Sequence, residues 1–265
     1  MNEQITQNDI LVYLSLIHEG NWDNIASSIS KKLFFPPEEV AEKVSSVTSK
    51  YVTYFDDDYP PSFRKCPKPP YVLYYRGDIG LLRDPAQSLS IVGSRGACPY
   101  GKEKARGFAS FAASNGFSVV SGLARGIDTE AAYGALNHGK SVAILGSGID
   151  NIYPSDNHDL AMEIAANGLL ISEYPNHVGP SQKHFPFRNR LIAAASSRLI
   201  VPEATKHSGT LITVAFALRA GRDIGAVPYR ANEDSACNEM IKQGAMMIED
   251  EKDLKCFLGL GENDE

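Results

Sequence analysis

SLSIVGSRGACPYGKEKARGFASFAASNGFSVVSGLARGID, residues 88–128, decides the fold. A short apolar run (Leu89–Val92) ends in a glycine turn, a helix-forming stretch opens near Pro99, and a second apolar run (Ser118–Val120) ends in another glycine turn. The same alternation continues through Val142–Leu145, Leu169–Ile171, Leu199–Val201, Ile224–Val227 and Met246–Ile248. Short, wholly apolar strands separated by helices predict an α/β chain with a mostly parallel sheet covered by helices on both faces.

Upstream of this unit the pattern changes. Residues 1–50 read as a small helical domain. Ile10, Leu11, Leu14 and Ile17 fall at helical spacing behind Asn8 as N-cap, and a second helix follows Asn21 or Asp23. A third opens at Pro36-Pro37, with Glu38 and Glu39 in a first turn that favours carboxylates. So small a core is expected to lean on its neighbour. Residues 51–85 (YVTYFDDDYP, PPYVLYYRGD) are rich in aromatic, proline and β-branched residues and read as a strand-rich lead-in. The sheet-forming region spans 86–258, and an acidic tail follows at 259–265.

Composition is that of an ordinary globular protein, 43% hydrophobic and 22% charged. No apolar run is long enough to span a membrane, and the N-terminus lacks the basic and apolar regions of a secretory signal. A cytoplasmic protein without membrane attachment is expected. Cys66, Cys98, Cys237 and Cys256 form no CxxC pair and no metal-spaced cluster, so reduced thiols are expected, with no metal and no cofactor. Net charge is −6, but residues 88–230 hold 14 Lys and Arg against 10 Asp and Glu, leaving 12 and 22 elsewhere. A mildly basic middle between acidic flanks can present one positive groove.

Ligands of open parallel sheets bind beyond the carboxyl ends of the strands, so the loops that follow strands carry the candidates. Gly93, Ser94 and Arg95 lie at the first: a helix start favours anions and Arg95 can grip a phosphate, although a plain tight turn reads equally well. At the second, Gly122 and Gly126 flank Arg125, and Asp128 reads best as the cap of the next helix. In the third, Asp150, Tyr153 and Pro154 read as a structural turn that shapes the pocket floor. The fourth is a long loop from Ser172 to Phe187 ahead of a helix at Arg188–Ala195, where Lys183, His184, Phe185 and Phe187 offer charge and stacking surface. Arg188 and Arg190 fall on different sides of that helix, so one of them, or Asn189, anchors the loop. Beyond Leu199–Val201 come Glu203 and Lys206, and Ser208, Gly209 and Thr210 open a helix as a phosphate cradle.

No catalytic residue is expected. Ser94, Ser121 and Ser208 lack a GxSxG frame, His138 and His158 are isolated, and Asp128, Glu173 and Glu203 are scattered.

In combination, IVGSR (Ile91–Arg95), SGLARGID (Ser121–Asp128), LGSGIDNIYP (Leu145–Pro154), ISEYP (Ile171–Pro175), HFPFRNRLIA (His184–Ala193) and SGTLIT (Ser208–Thr213) resemble the DprA/Smf family of DNA-processing proteins. DDDYPPSF and PPYVLYYRGD (Asp56–Phe63, Pro69–Asp78) resemble its lead-in. The resemblance covers about residues 50–250. It implies an extended Rossmann-like domain, preceded by a sterile-alpha-motif-like helical domain. It also implies a homodimer formed through the sheet domain that binds single-stranded DNA, protects it and loads RecA during natural transformation. Arg95 and Arg125 would line the DNA pocket, Lys206 would add a basic contact, Ser208–Thr210 would grip phosphate and Phe185 would stack on bases. Ala132 departs from the family's usual histidine, Pro202 interrupts a VVEA-type run, and Tyr229 and Cys237 replace usual glycines. The winged-helix-like C-terminal domain of many members is not expected here.

The alternative is a nucleotide-binding enzyme of phosphoribohydrolase type on a related fold, with Glu203 or Glu173 as its carboxylate. Lys206-His207-Ser208-Gly209-Thr210 lacks the double glycine of a PGGxGT-like turn, which favours the first reading. A dehydrogenase is disfavoured because no GxGxxG is present.

Overall fold

The computed structural model describes residues 5–261, and the last four residues of the acidic tail lie outside the described residues. The chain runs α1 (Gln7–Ile17), α2 (Trp22–Ser30), α3 (Pro37–Ser45), β1 (Lys50–Thr53), α4 (Pro61–Arg64), β2 (Val72–Gly77), β3 (Ser88–Ile91), α5 (Pro99–Ser114), β4 (Ser118–Ser121), α6 (Ile127–Leu136), β5 (Ser141–Leu145), α7 (His158–Asn167), β6 (Leu169–Ser172), α8 (His184–Ala195), β7 (Arg198–Val201), α9 (Thr210–Arg219), β8 (Asp223–Ala226), α10 (Ala236–Lys242), β9 (Met246–Met247) and α11 (Glu251–Leu258). All seven strands expected from residue 88 onward are present.

They form a nine-stranded sheet in the order β1-β2-β6-β5-β4-β3-β7-β8-β9. β3 to β9 pair in parallel. The two lead-in strands extend this Rossmann-like sheet antiparallel at the β6 edge. Alternate strand residues face opposite helical layers. Val142, Ile144, Leu199 and Val201 pack against α8, α9 and α10, whereas Leu89, Ile91, Val119 and Ile200 pack against α5, α6 and α11. Ala143, Leu145 and Leu170 meet α7 together with Ala132, which fills core space there.

The chain steps outward from β3 through β4 and β5 to β6, then crosses back to β7 on the other side of β3. Order reverses between β3 and β7, which opens a crevice at their carboxyl ends.

Two helix starts differ from expectation. Thr6, not Asn8, caps α1: its side chain accepts from the Asp9 N–H at 3.2 Å while Asp9 accepts from the Thr6 N–H at 2.8 Å. Asn8 instead donates to Asp56 at 2.6 Å and ties α1 to the lead-in. α8 starts at His184 rather than Arg188. Pro186 falls in its first turn, where a missing N–H costs nothing.

Candidate functional site

Loops from five successive strand ends converge at the β3/β7 switch point around a cleft of about 750 Å³. Gly93 to Gly96 come from β3, Ala124 and Asp128 from β4, Tyr153 from β5, Phe185, Arg188 and Asn189 from the β6 side, and Glu203 and Ser208 to Thr210 from β7. Of the sequence candidates, Gly93, Ser94, Arg95, Phe185, Arg188, Asn189, Ser208, Gly209 and Thr210 line it. Gly122 and Arg125 line a smaller pocket beside it, which shares Arg95, Tyr153, Phe185 and Arg188.

Lys183 and Lys206 lie elsewhere. Lys183 lines a separate cleft against α2. Lys206 points towards Asp234, 3.8 Å away, on the α10 side. Each follows a site residue in sequence, but the backbone turns its side chain outward.

Three glycines pack tightly against neighbouring loops. A Cβ at Gly93 would sit 2.5 Å from Ile127, one at Gly122 2.5 Å from the Arg188 guanidinium, and one at Gly126 2.3 Å from the Ser94 carbonyl oxygen. They let the strand-end loops interlock. Gly126 also needs its φ of +77°, which side chains resist. Gly209, by contrast, faces open space.

Asp128 does not cap α6, whose N-cap is Gly126. Its buried carboxylate accepts from Gly122 N–H at 3.0 Å and Ala124 N–H at 3.4 Å, which closes the loop back on itself. Asn157 donates to the Leu123 carbonyl at 2.9 Å and Thr129 to that of Ala124 at 2.7 Å. These bonds offset the strain of Leu123, held at φ +55°. Burial raises the Asp128 pKa, opposed by Arg188 and the two loop N–H groups.

Arg188 is itself only 4% exposed. It donates to the Gly122 carbonyl at 2.8 Å and to that of Ile144, bracing the ends of β4 and β5. Burial pushes its guanidinium down to about 10, so it remains a cation at neutral pH. Arg190 is the loop anchor: it grips Glu173 through both carboxylate oxygens at 2.7 and 2.6 Å.

Among the described residues, Arg95 is exposed with no carboxylate within ion-pair distance, its guanidinium 5.8 Å from the Phe185 ring centroid. Arg125 is held by Asp156 at 2.7 Å. Tyr153, 45% exposed, tilts over Phe185 with ring centroids 5.4 Å apart. The pair makes an aromatic shelf between the two arginines. Reading Tyr153 as a turn residue missed this role; the signal was its place in the loop after a parallel strand. Ser94 Oγ is buried without a protein partner. Glu203 also lines the cleft, with Oε2 accepting from Cys98 N–H at 2.9 Å and from the Tyr229 hydroxyl at 3.2 Å. Tyr229 thus supplies a donor to this carboxylate, and Cys237 packs its thiol 3.5 Å from the Val201 carbonyl.

Anions therefore have Arg95 and the start of α9, flat π-systems have the Tyr153–Phe185 shelf, and the cleft walls are braced by buried bonds. No helix among the described residues is long and apolar enough to cross a membrane.

Known proteins share this architecture. The DNA processing protein DprA structure from Streptococcus pneumoniae superposes with a TM-score of 0.77 at 28% identity, covering 96% of this chain and 98% of that one. A Helicobacter pylori DNA processing protein A, described for its single-stranded DNA binding mode, superposes at 0.72 with 34% identity over 80% of this chain and 95% of its own. In sequence, the Synechocystis protein Smf is 37% identical over 84% of this chain and 57% of its own length. For the DprA of Streptococcus pneumoniae the figures are 37%, 75% and 71%. Residues 50–259 match the model of the DNA recombination-mediator protein A family, and the chain belongs to that family.

Proposed function

We propose that this protein binds single-stranded DNA in the strand-end cleft and acts as a recombination mediator rather than an enzyme. In this reading it protects incoming strands and loads RecA during natural transformation, as a cytoplasmic homodimer. The observation that carries the reading is the placement of Arg95, which has no carboxylate partner among the described residues, beside the Tyr153–Phe185 shelf and the Ser208–Thr210 helix start. Phosphate and base thus each find a matching surface, and stacking on aromatic rings tolerates any sequence. The single-strand binding described for the Helicobacter pylori relative supports it. The phosphoribohydrolase alternative needs a poised carboxylate. Glu173 is locked into its ion pair with Arg190, and one oxygen of Glu203 already has two donors.

Fluorescence anisotropy with labelled oligothymidylate across a salt series, beside duplex of equal length, tests the reading. Tight, salt-sensitive, single-strand-preferring binding is expected; no binding at low salt overturns it. Arg95→Ala should weaken binding to all sequences alike and reduce the log–log salt slope by about 0.7, the share of one phosphate on a single strand. Tyr153→Ala should cost about 1–3 kcal/mol of affinity with the salt slope unchanged. Equal slope changes in both variants would contradict the division between phosphate and base surfaces.

A further inference from the structure

A second cleft, of about 430 Å³, lies between α2 and the first turn of α8. Trp22 forms one side, and Lys183, His184 and Phe187 form the other. His184 is stacked on Tyr174 at 4.1 Å between centroids. Trp22 is fixed by its indole N–H, which donates to the Pro69 carbonyl at 2.8 Å, and by stacking on Tyr71. Phe187 is fixed over the Arg190 guanidinium, 3.7 Å from its ring centroid. The aromatic faces are therefore set before any ligand arrives.

The same helical turn serves both clefts. Gln182, Phe185 and Pro186 face the strand-end cleft, while Lys183, His184 and Phe187 face this one. One turn of an α-helix, about 5.4 Å of rise and roughly 10 Å across with side chains, separates them. Adjacent units of a flexible polyanion can straddle that distance.

Charge narrows the choice of ligand. Lys183 is exposed and, among the described residues, has no carboxylate within ion-pair distance. Glu19 and Asp23 also line the cleft, and Asp23 is engaged by Lys68 at 2.5 Å. A site with one free ammonium, acidic neighbours and aromatic walls suits one phosphate and one flat base better than a run of phosphates.

We propose that this cleft is a second single-strand subsite, where Lys183 meets a backbone phosphate and Phe187 and Trp22 offer faces to a base of the strand leaving the strand-end cleft. This rests on the single-strand reading above. Lys183, placed by sequence among the binding residues yet absent from the main cleft, thereby gains a role.

Trp22 is the chain's single tryptophan, so its emission reports this cleft alone. The full chain would be titrated with thymidine monophosphate and with a labelled oligothymidylate of about a dozen nucleotides, within the range that single-strand folds cover. Trp22 emission and label anisotropy would be followed together. The oligonucleotide should change Trp22 emission over the same concentration range as the anisotropy, and the mononucleotide should not. Lys183→Glu, on an exposed position, should leave the emission of the free protein unchanged, abolish the response to DNA and weaken oligonucleotide binding roughly tenfold. Binding by anisotropy with a silent Trp22, or an undiminished response in Lys183→Glu, overturns the subsite and leaves the strand-end reading intact. Absence of any anisotropy change at low salt removes both.

Discussion

Arg190→Ala should destabilise the fold by about 3–5 kcal/mol, the usual cost of stranding one member of a buried ion pair. Arg190 and Glu173 are both 2% exposed at their side chains. Besides the two oxygens of Glu173, the guanidinium serves the Lys68 carbonyl at 2.9 Å, the Pro67 carbonyl at 3.1 Å and the Phe187 carbonyl at 3.0 Å. Truncation leaves the buried Glu173 carboxylate without its cation and takes a donor from three part-buried carbonyls. Arg190→Lys keeps the charge but not the fork, so it should recover only part of the loss. The pair Arg190→Met with Glu173→Leu removes both charges and should recover most of it. Chemical denaturation of the four proteins checks this. Arg190→Ala within about 1 kcal/mol of the parent, or a double variant no better than the single, would refute the assignment. The same guanidinium joins the 67–68 segment to Glu173 at the end of β6 through α8, so hydrogen exchange in the lead-in should rise in Arg190→Ala.

Why were the strands legible in the sequence and the binding surface only partly so? The strands were legible because buried parallel strands leave continuous apolar runs such as Leu169–Ile171. Their carboxyl-end loops then located the cleft, since strand-end position follows from topology. Side-chain direction does not. On a helix each residue turns about 100°, so Phe185 faces the cleft while His184, one residue earlier, faces away. The same geometry separates Arg188, braced on Gly122, from Arg190, braced on Glu173. The opening of α8 was obscured by Pro186, which reads as a breaker unless it is known to lie in a first turn. Burial is equally hidden: Arg188 belongs to a class that is usually solvated, and only the bare glycine at 122 leaves room for it. Tyr153 was masked by its proline neighbour, which suggests a turn and says nothing of the ring that reaches Phe185.

Arg188→Met should also cost about 3–5 kcal/mol at neutral pH, with a pH dependence set by Asp128. Burial already holds its carboxyl above the usual carboxylate range, and the Arg188 guanidinium is the main influence pulling it back down. Without that cation the folded-state pKa rises further, while the unfolded value stays put. A raised folded pKa means that the folded chain takes up the proton before the unfolded one does. Stability therefore increases as pH falls through the folded pKa and is lost as pH rises through it. The deficit of Arg188→Met relative to the parent should accordingly be largest near neutral pH and shrink on acidification. Adding Asp128→Asn should remove that pH dependence and recover part of the stability, since a neutral amide no longer strands a charge. A remainder should persist at every pH, because the Gly122 and Ile144 carbonyls still lack their donor. Thermal melts of the single and double variants across the acidic range test this, and a deficit that is flat with pH, or untouched by Asp128→Asn, would rule the coupling out. Oligothymidylate binding provides a second readout. With the loop at Gly122 to Ala124 no longer braced, the wall of the cleft loosens, and affinity should fall for Arg188→Met even under conditions where the variant remains folded.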